Sequence, residues 1–253
     1  MPPKEPQQTA SRAAYTPQPV PNSRRYLIFY NAASLLAWSS ILGRVILIVI
    51  LAGLRHVYPS SGDFVKGVQT FALLEVVHSL VGMVRAPVLT TGLQVASRLF
   101  LVWGVVGLFG NDLLKGRSLG GFKIAKNAVG IEEYGAGWNQ LAYFGMLVAW
   151  SVTECVRYSY FVFFLASGAT GLGVPKFLNW ARYNFFFVLY PLGISCECWL
   201  TYKAIPFAMK KDPIIAYIFI GTLVIYVPGS YILYSHMMAQ RKRVMRGKRK
   251  VPN

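Results

Sequence analysis

The sequence has little charge, few acids and few cysteines, and each shortage excludes a class of protein. Only 14% of the 253 residues are charged, whereas ordinary soluble domains reach about 25%, so a soluble globular enzyme is disfavoured. Cys155, Cys196 and Cys198 are too few for a disulfide framework. None of the three histidines lies near them in the sequence. The chain therefore has no metal-ligand pattern, and we expect neither a metal nor a cofactor.

Apolar and basic side chains are abundant instead. Hydrophobic residues make up 55% of the chain, and 26 Lys and Arg against nine Asp and Glu give a formal charge of +17. Such an excess of positive charge is typical of proteins that bind nucleic acid or an anionic membrane surface. Because the overall charge content is low and the hydrophobicity is high, we expect membrane lipid, and no nucleic acid, as a partner.

The apolar residues are grouped into stretches long enough to cross a bilayer. Residues 1–25 are polar and rich in Pro, Gln and Ser, which predicts a disordered arm. A membrane span needs about 20 apolar residues, and its backbone must satisfy its own hydrogen bonds, which predicts helices. We therefore predict an all-α membrane protein, a six-transmembrane-helix bundle over residues 26–240, followed by a basic cytosolic tail at 241–253. Six stretches approach or exceed that length: 27–54, 67–84, 88–108, 141–165, 183–202 and 214–236.

The positive charges predict the orientation of the bundle. With six spans both termini lie on one side, and that side collects 14 of the 26 Lys and Arg residues, against nine on the other. Positive residues are enriched on the cytosolic side of membrane proteins, so both termini are predicted to be cytosolic. Most of the difference comes from the cluster at 241–250, which we interpret as a topology anchor that rests on anionic lipid.

Six ionisable residues lie inside the predicted spans, where a charge costs about 2.5–3.5 kcal/mol on insertion scales. Three are acids and three are bases, which predicts that they pair within the bundle. Such residues mark reaction sites or pathways, although a purely structural role in locking the helices together explains each one equally well. The six are Glu75, Glu154, Glu197, Arg44, Arg98 and Arg157.

Helical spacing groups several of these residues with polar neighbours. Glu154 and Arg157 are separated by three positions, with Tyr158 next to Arg157, so they share a helix face. The same spacing relates Glu75 to His78, and Gln94 precedes Arg98 by four positions. Each group is expected to satisfy buried polar atoms. The predicted supporting residues are Arg98, Glu154, Arg157, Tyr158, Glu75, His78 and Gln94.

The fifth predicted span carries a phenol and a carboxylate on one face. Tyr190 and Glu197 are seven residues apart, which returns to nearly the same side of a helix about 10 Å further along. Pro191 lies between them, and a proline kinks a helix by removing a backbone hydrogen bond. Together the two side chains form a candidate acid–base pair. The alternative is a tyrosine packed at a helix kink beside a paired glutamate.

Several long segments, in order, make the chain similar to a known family. The quoted segments are FYNAASLLAWS, LLEVVHSLVGMVRAPVLTTGLQVASRL, AWSVTECVRYSY, RYNFFFVLYPLGISCE and YVPGSYILYSHMMAQRKRV, spread over residues 26–243. On these segments the chain resembles the 3-hydroxyacyl-CoA dehydratase family of very-long-chain fatty acid elongation, also called the protein-tyrosine-phosphatase-like family. The resemblance implies a multi-pass endoplasmic-reticulum membrane protein that dehydrates (3R)-3-hydroxyacyl-CoA to trans-2-enoyl-CoA.

The resemblance also assigns roles to residues. The catalytic Tyr and Glu of the family lie in its LYPxGxxxE segment, here LYPLGISCE, and carry over to Tyr190 and Glu197. We expect Glu197 to take the α-proton and Tyr190 to donate to the leaving hydroxyl, and the reverse division stays open. The implied partners are the 3-hydroxyacyl-CoA substrate and the other elongation enzymes, namely the condensing enzyme, the ketoreductase and the enoyl reductase. The candidates for binding CoA are Arg85, Lys176 and Arg182.

Other functions are less well supported by the residues. A phosphatase loop needs Cys-x5-Arg, and no arginine stands six residues after any of the three cysteines. A catalytically inactive or scaffolding protein of the same fold is the main alternative, and the presence of both Tyr190 and Glu197 argues against it. A small transporter is expected to show an internal repeat between its halves, and the sequence has none.

Overall fold

A computed structural model describes residues 22–84, 86–115, 123–126, 132–134, 137–169 and 173–249. These residues are almost entirely helical, so the predicted helical class is confirmed. A short antiparallel hairpin of two strands is added to it. The helices are α1 (Asn22–Ala52), α2 (Val57–Phe71), α3 (Leu73–Leu80), α4 (Val88–Leu99), α5 (Val106–Gly110), α6 (Trp138–Ala166), α7 (Lys176–Asn184), α8 (Phe186–Lys211) and α9 (Pro213–Arg249). The strands are β1 (Lys123–Lys126) and β2 (Glu132–Tyr134), and irregular helical turns cover Leu54–His56, Phe100–Val105 and Asn111–Lys115.

Three helical stretches are long and apolar enough to cross a membrane: Asn22–Ala52, Val88–Leu114 and Pro213–Ala239. The pair α7–α8 adds a fourth if its two helices, bent by 45°, count as one span. The described part of the chain thus gives three or four spans by this criterion, fewer than the six predicted. α2 and α3 are each short, with 15 and 8 residues, and α6 includes the charged Glu154 and Arg157.

The long helices pack around α6. Helix α6 contacts α1 on one side and α8 on another, and α9 packs against α8. The core between them is formed by large side chains with almost no exposed surface, including Trp38, Met146 and Leu200. Large apolar side chains cover much of the outer surface, with Ile50 73% and Tyr231 76% exposed. An exterior of this kind suits contact with lipid, because the exposure of so many apolar side chains to water is unfavourable.

Small residues let α6 and α8 approach closely beside the candidate site. A Cβ atom at Gly145 would lie 3.1 Å from the Cys196 sulfur, and one at Gly193 would lie 3.7 Å from the Cβ of Ala149. Small residues at such crossings allow helix backbones to approach in a membrane, where dispersion contacts replace the hydrophobic effect. This close approach brings the side chains of α6 next to those of α8.

The two ends of the described chain differ in detail from the predicted boundaries. Helix α1 begins at Asn22, so it includes the last four residues of the predicted arm. Arg24 also donates through Nε to the Leu165 carbonyl at 2.6 Å, which ties the start of α1 to the end of α6. At the other end α9 continues through the basic cluster to Arg249. Residues 1–21 and 250–253 lie outside the described residues.

Candidate functional site

Glu197 lies in the middle of α8 with 9% of its surface exposed. Its two carboxyl oxygens each accept one hydrogen bond. The indole Nε1 of Trp150, on α6, donates to Oε1 at 2.8 Å, and the hydroxyl of Tyr226, on α9, donates to Oε2 at 2.8 Å. The carboxyl group is therefore held between three helices by two neutral donors.

Trp150 connects this carboxyl group to a buried cluster of charges. The guanidinium of Arg98, the next-to-last residue of α4, lies over the Trp150 ring, with 5.2 Å between Cζ and the ring centroid. Arg98 also makes an ion pair with Glu154, which lies one helical turn beyond Trp150 on α6. A cation over an indole face is attracted by the partial negative charge of that face. Arg98 therefore holds both the Trp150 ring and the Glu154 carboxylate.

The remaining buried charges form a continuous network with Glu154. Arg157 donates through Nε to Glu154 at 2.7 Å, and its two terminal nitrogens donate to the two oxygens of Glu75 at 3.0 and 2.6 Å. The hydroxyl of Tyr158 also donates to Glu75. A bidentate arginine–carboxylate pair of this kind is among the strongest polar contacts in proteins. The expected pairing is confirmed for Arg98, Glu154, Arg157 and Glu75.

Two of the six predicted intramembrane charges are placed differently from the other four. In the described part of the chain Glu197 is bonded to neutral donors, whereas a cationic partner was expected. Arg44 lies 5.7 Å from the centroid of the Phe64 ring, on the exposed side of α1. The equal number of acids and bases therefore does not mean that every acid has a base, because Trp and Tyr can supply the donors that a carboxylate needs.

The last two predicted supporting residues, His78 and Gln94, have different surroundings. His78 Nε2 is hydrogen-bonded to the hydroxyl of Tyr26 at 2.9 Å, and its ring meets that of Tyr30 edge-on, 4.7 Å between centroids. Gln94 lies on α4, one turn before Arg98, with an exposed side chain. His78 thus fastens α3 to α1.

Tyr190 faces α9, as Glu197 does, but it has a different partner. Its hydroxyl donates to the backbone carbonyl of Ser230 at 3.2 Å, and its ring stacks on Tyr234 with 5.9 Å between centroids. The 45° bend of this segment lies between α7 and α8, ahead of Pro191, which α8 contains without a break.

The candidates for binding CoA are placed at the ends of helices. Arg182 lies near the end of α7, stacked over the rings of Tyr160 and Phe161 at 4.1 and 4.9 Å. Its Nη1 is buried and has no hydrogen-bond partner among the described residues. Lys176 is exposed at the first position of α7. Arg85 lies outside the described residues.

The residues that hold Glu197 were missed by reasoning from the sequence. Intramembrane charges were the signal used there, and neither Trp150 nor Tyr226 is charged. A usable signal was present, because Trp150 is the second residue of AWSVTECVRYSY and Tyr226 the first of YVPGSYILY. Both segments belong to those that carry the family resemblance.

The arrangement can move a proton. A carboxylate held by two donors in a site shielded from water is a base whose position is fixed before a proton arrives. Among the described residues, no group of three or more His, Cys, Asp or Glu is arranged to hold a metal ion. The helices and this site define a multi-pass membrane protein with a buried carboxylate and a buried ionic network.

Comparison with known proteins makes the assignment specific. Residues 69–247 match the model of the family described as "Protein tyrosine phosphatase-like protein, PTPLA". The chain belongs to this family, so the resemblance found in the sequence is confirmed. No solved structure matches the chain.

Named relatives cover most of the chain. It is 36% identical to the probable very-long-chain (3R)-3-hydroxyacyl-CoA dehydratase of Schizosaccharomyces pombe, over 87% of this chain and 92% of that protein. It is 32% identical to very-long-chain (3R)-3-hydroxyacyl-CoA dehydratase PASTICCINO 2A of Oryza sativa subsp. japonica, over 88% of this chain and 93% of that one. Very-long-chain (3R)-3-hydroxyacyl-CoA dehydratase 1 of Mus musculus is 33% identical, over 88% and 73% respectively.

Proposed function

We propose that this protein is a very-long-chain (3R)-3-hydroxyacyl-CoA dehydratase, a carbon–oxygen lyase of fatty acid elongation. Relatives that carry this name match the chain over 92%, 93% and 73% of their own lengths. The observation that supports the chemistry best is the buried Glu197 carboxyl group, which two neutral donors hold inside an apolar helix bundle. An elimination that begins with removal of a proton from carbon needs such a base.

The proposed mechanism uses Glu197 as base and Tyr190 as acid. Glu197 takes the proton from the α-carbon, the electrons of that C–H bond form the Cα=Cβ double bond, and the Cβ–O bond breaks. The departing hydroxyl takes a proton from the Tyr190 hydroxyl and leaves as water. The bond from Tyr190 to Ser230 is 3.2 Å long, longer than the roughly 2.5–3.0 Å usual for an O–H···O bond, so the hydroxyl can exchange this carbonyl for the substrate oxygen.

Binding of the substrate divides between the membrane and its cytosolic surface. The acyl chain lies among the apolar side chains of the bundle, where each buried methylene contributes about 0.8 kcal/mol. The CoA group stays at the surface, and Arg182 contacts one of its phosphates. Support for Arg182 comes from its buried Nη1, which has no partner among the described residues, because an unpaired buried guanidinium nitrogen favours binding of an anion.

The proposed topology has six passes, with both termini in the cytosol and the protein in the endoplasmic-reticulum membrane. The passes are α1, residues 67–84, Val88–Leu114, α6, α7–α8 and α9. Helix α6 has 29 residues and is therefore about 44 Å long, which exceeds the bilayer core of about 30 Å. Its charged groups are paired within the bundle, which lowers the cost of placing them in lipid. The other elongation enzymes are proposed partners at the cytosolic face.

An assay of detergent-purified protein with a (3R)-3-hydroxyacyl-CoA tests this function. Wild type is expected to form trans-2-enoyl-CoA. Removal of one acid–base group costs about 10²–10⁴ in rate, so Glu197→Gln and Tyr190→Phe are expected to stay folded and lose nearly all turnover. No enoyl product from wild type contradicts the dehydratase assignment and favours a scaffolding protein. Near-normal turnover in Tyr190→Phe contradicts only the role proposed for Tyr190 and leaves the dehydratase assignment in place.

A further inference from the structure

Glu197 is bonded by two donors that differ in what they can do after proton transfer. An indole N–H can only donate, whereas a phenolic hydroxyl can donate or accept. Trp150 therefore bonds well to Oε1 only while that oxygen carries no proton. Tyr226 can reverse its bond and accept from Oε2 once that oxygen carries one. Both contacts are 2.8 Å long. The contact from Trp150 favours the ionised carboxylate, whereas the contact with Tyr226 can be made by the ionised and by the protonated form.

Each donor is fixed by its own surroundings, which makes the pair a rigid clamp. The Trp150 ring is 3% exposed and is covered by the Arg98 guanidinium, which Glu154 holds in turn. Tyr226 lies on α9 one turn before Ser230, whose carbonyl accepts the bond from Tyr190. The helix that positions Tyr226 against Glu197 therefore also bonds to the second member of the proposed catalytic pair.

From this geometry we propose that Trp150 and Tyr226 are positioning residues that hold Glu197 as an ionised base and confine its acquired proton to Oε2. Trp150 keeps Oε1 as an acceptor throughout the reaction. Tyr226 donates to Oε2 before the proton transfer and accepts from it afterwards. The inference rests on the proposed dehydratase function, and it supports Glu197, in preference to Tyr190, as the group that takes the α-proton.

The test compares Trp150→Phe and Tyr226→Phe with wild type over a range of pH. Loss of a hydrogen bond to a charged group predicts a fall in kcat of about 10- to 100-fold in each variant, with KM changed by no more than about twofold. The acid side of the pH–rate profile is expected to move upward by about one pH unit in Trp150→Phe, because the bond from Trp150 stabilises the ionised carboxylate more than the protonated acid. A smaller upward shift is expected in Tyr226→Phe, because the Tyr226 hydroxyl also accepts the proton of the acid form, so the protonated state loses a strong bond as well.

Two matched controls separate these effects from general damage. Trp103→Phe removes an indole N–H bond of similar length, 3.0 Å to the Thr70 hydroxyl, at an exposed position away from Glu197. Tyr217→Phe removes a hydroxyl from an exposed position of α9. Both control variants are expected to keep the kcat and the pH profile of wild type.

The outcomes distinguish failure of this inference from failure of the proposed function. An inactive wild type contradicts the function itself. With an active wild type, an unmoved acid limb in Trp150→Phe overturns the inference, as does a higher KM with unchanged kcat. If Trp150→Phe does not fold, Tyr226→Phe decides, since it removes a single oxygen atom: kcat within about threefold of wild type, or an unmoved acid limb, overturns the proposal.

Discussion

Glu154 is the residue on which the buried ionic network depends. It accepts from Arg98 on α4 and from Arg157 on its own helix, and its side chain is only 3% exposed. Its two partners therefore need its negative charge to compensate for their own desolvation. A buried ion pair adds little net stability, whereas removal of one partner leaves an unpaired charge at a large cost.

We therefore expect Glu154→Gln to lower the stability of the folded protein by about 3–5 kcal/mol. The glutamine side chain keeps the shape but removes the charge between two guanidinium groups. The measurement is the midpoint of thermal unfolding in detergent. Asp63→Asn is the matched control, because the Asp63 carboxyl is fully exposed and pairs with Lys66 at 3.5 Å, so its loss is expected to leave the midpoint unchanged. Equal midpoints for the two variants would contradict the proposed dependence on Glu154.

At the residue scale, the sequence indicates the charged members of the site and not the uncharged ones. Glu75, Glu154 and Arg157 are identifiable because an ionisable group in an apolar helix must find a partner. Trp150 and Tyr226 stand among 6 Trp and 15 Tyr residues, and an aromatic residue in a membrane helix has many reasons to be there. The packing of α6, α8 and α9 against one another selects these two, and that packing cannot be derived from spacing along one helix.

At the scale of elements, the crossing of α6 and α8 sets the position of Trp150 relative to Glu197. Gly145 lies where a Cβ would be 3.1 Å from the Cys196 sulfur. A larger side chain there pushes the two helices apart, and the hydrogen bond from Trp150 lies only a few residues further along α6. The close approach of the backbones is thus a condition for the site.

Gly145→Leu is accordingly expected to destabilise the protein by about 1–3 kcal/mol through overpacking. We expect the fraction of the variant that stays folded to have a lower dehydratase turnover than wild type. Its matched control is Gly43→Leu on α1, where no atom lies within 4 Å of the added Cβ. Unfolding midpoints and turnover of both variants in the same detergent provide the measurement. If Gly145→Leu matches Gly43→Leu in both quantities, the crossing does not position the site.

The elements also show where hydropathy predicts a span well and where it does not. α1 and α9 are long and apolar, and both were predicted. α2 and α3 are separated at Ala72, which leaves each too short to cross a membrane. α6 includes charges that lower its mean hydropathy. Pairing within the bundle compensates for these charges, and a hydropathy average does not include that pairing. The bend between α7 and α8 was likewise not predicted, because the residue that indicated a kink in the sequence was Pro191, which α8 contains without a break.

For the whole molecule, the order of the helices determines which loops share a side of the membrane. With six passes, the β1–β2 hairpin lies on the side opposite both termini. If only the three apolar stretches counted by hydropathy cross, the number of passes is odd and the termini lie on opposite sides. The two arrangements therefore differ in the accessibility of the termini.

Protease protection in sealed microsomes separates these arrangements. A protease-cleavable tag is placed at the N-terminus, at the C-terminus or after Gly120, in three proteins that retain dehydratase activity. We expect the protease to remove both terminal tags and to leave the internal tag intact until detergent opens the vesicles. The positive charge of the basic cluster favours this orientation, because Lys and Arg are enriched on the cytosolic side of membrane proteins. Protection of one terminal tag, or cleavage of the internal tag in sealed vesicles, would contradict the six-pass topology and with it the cytosolic position proposed for Arg182.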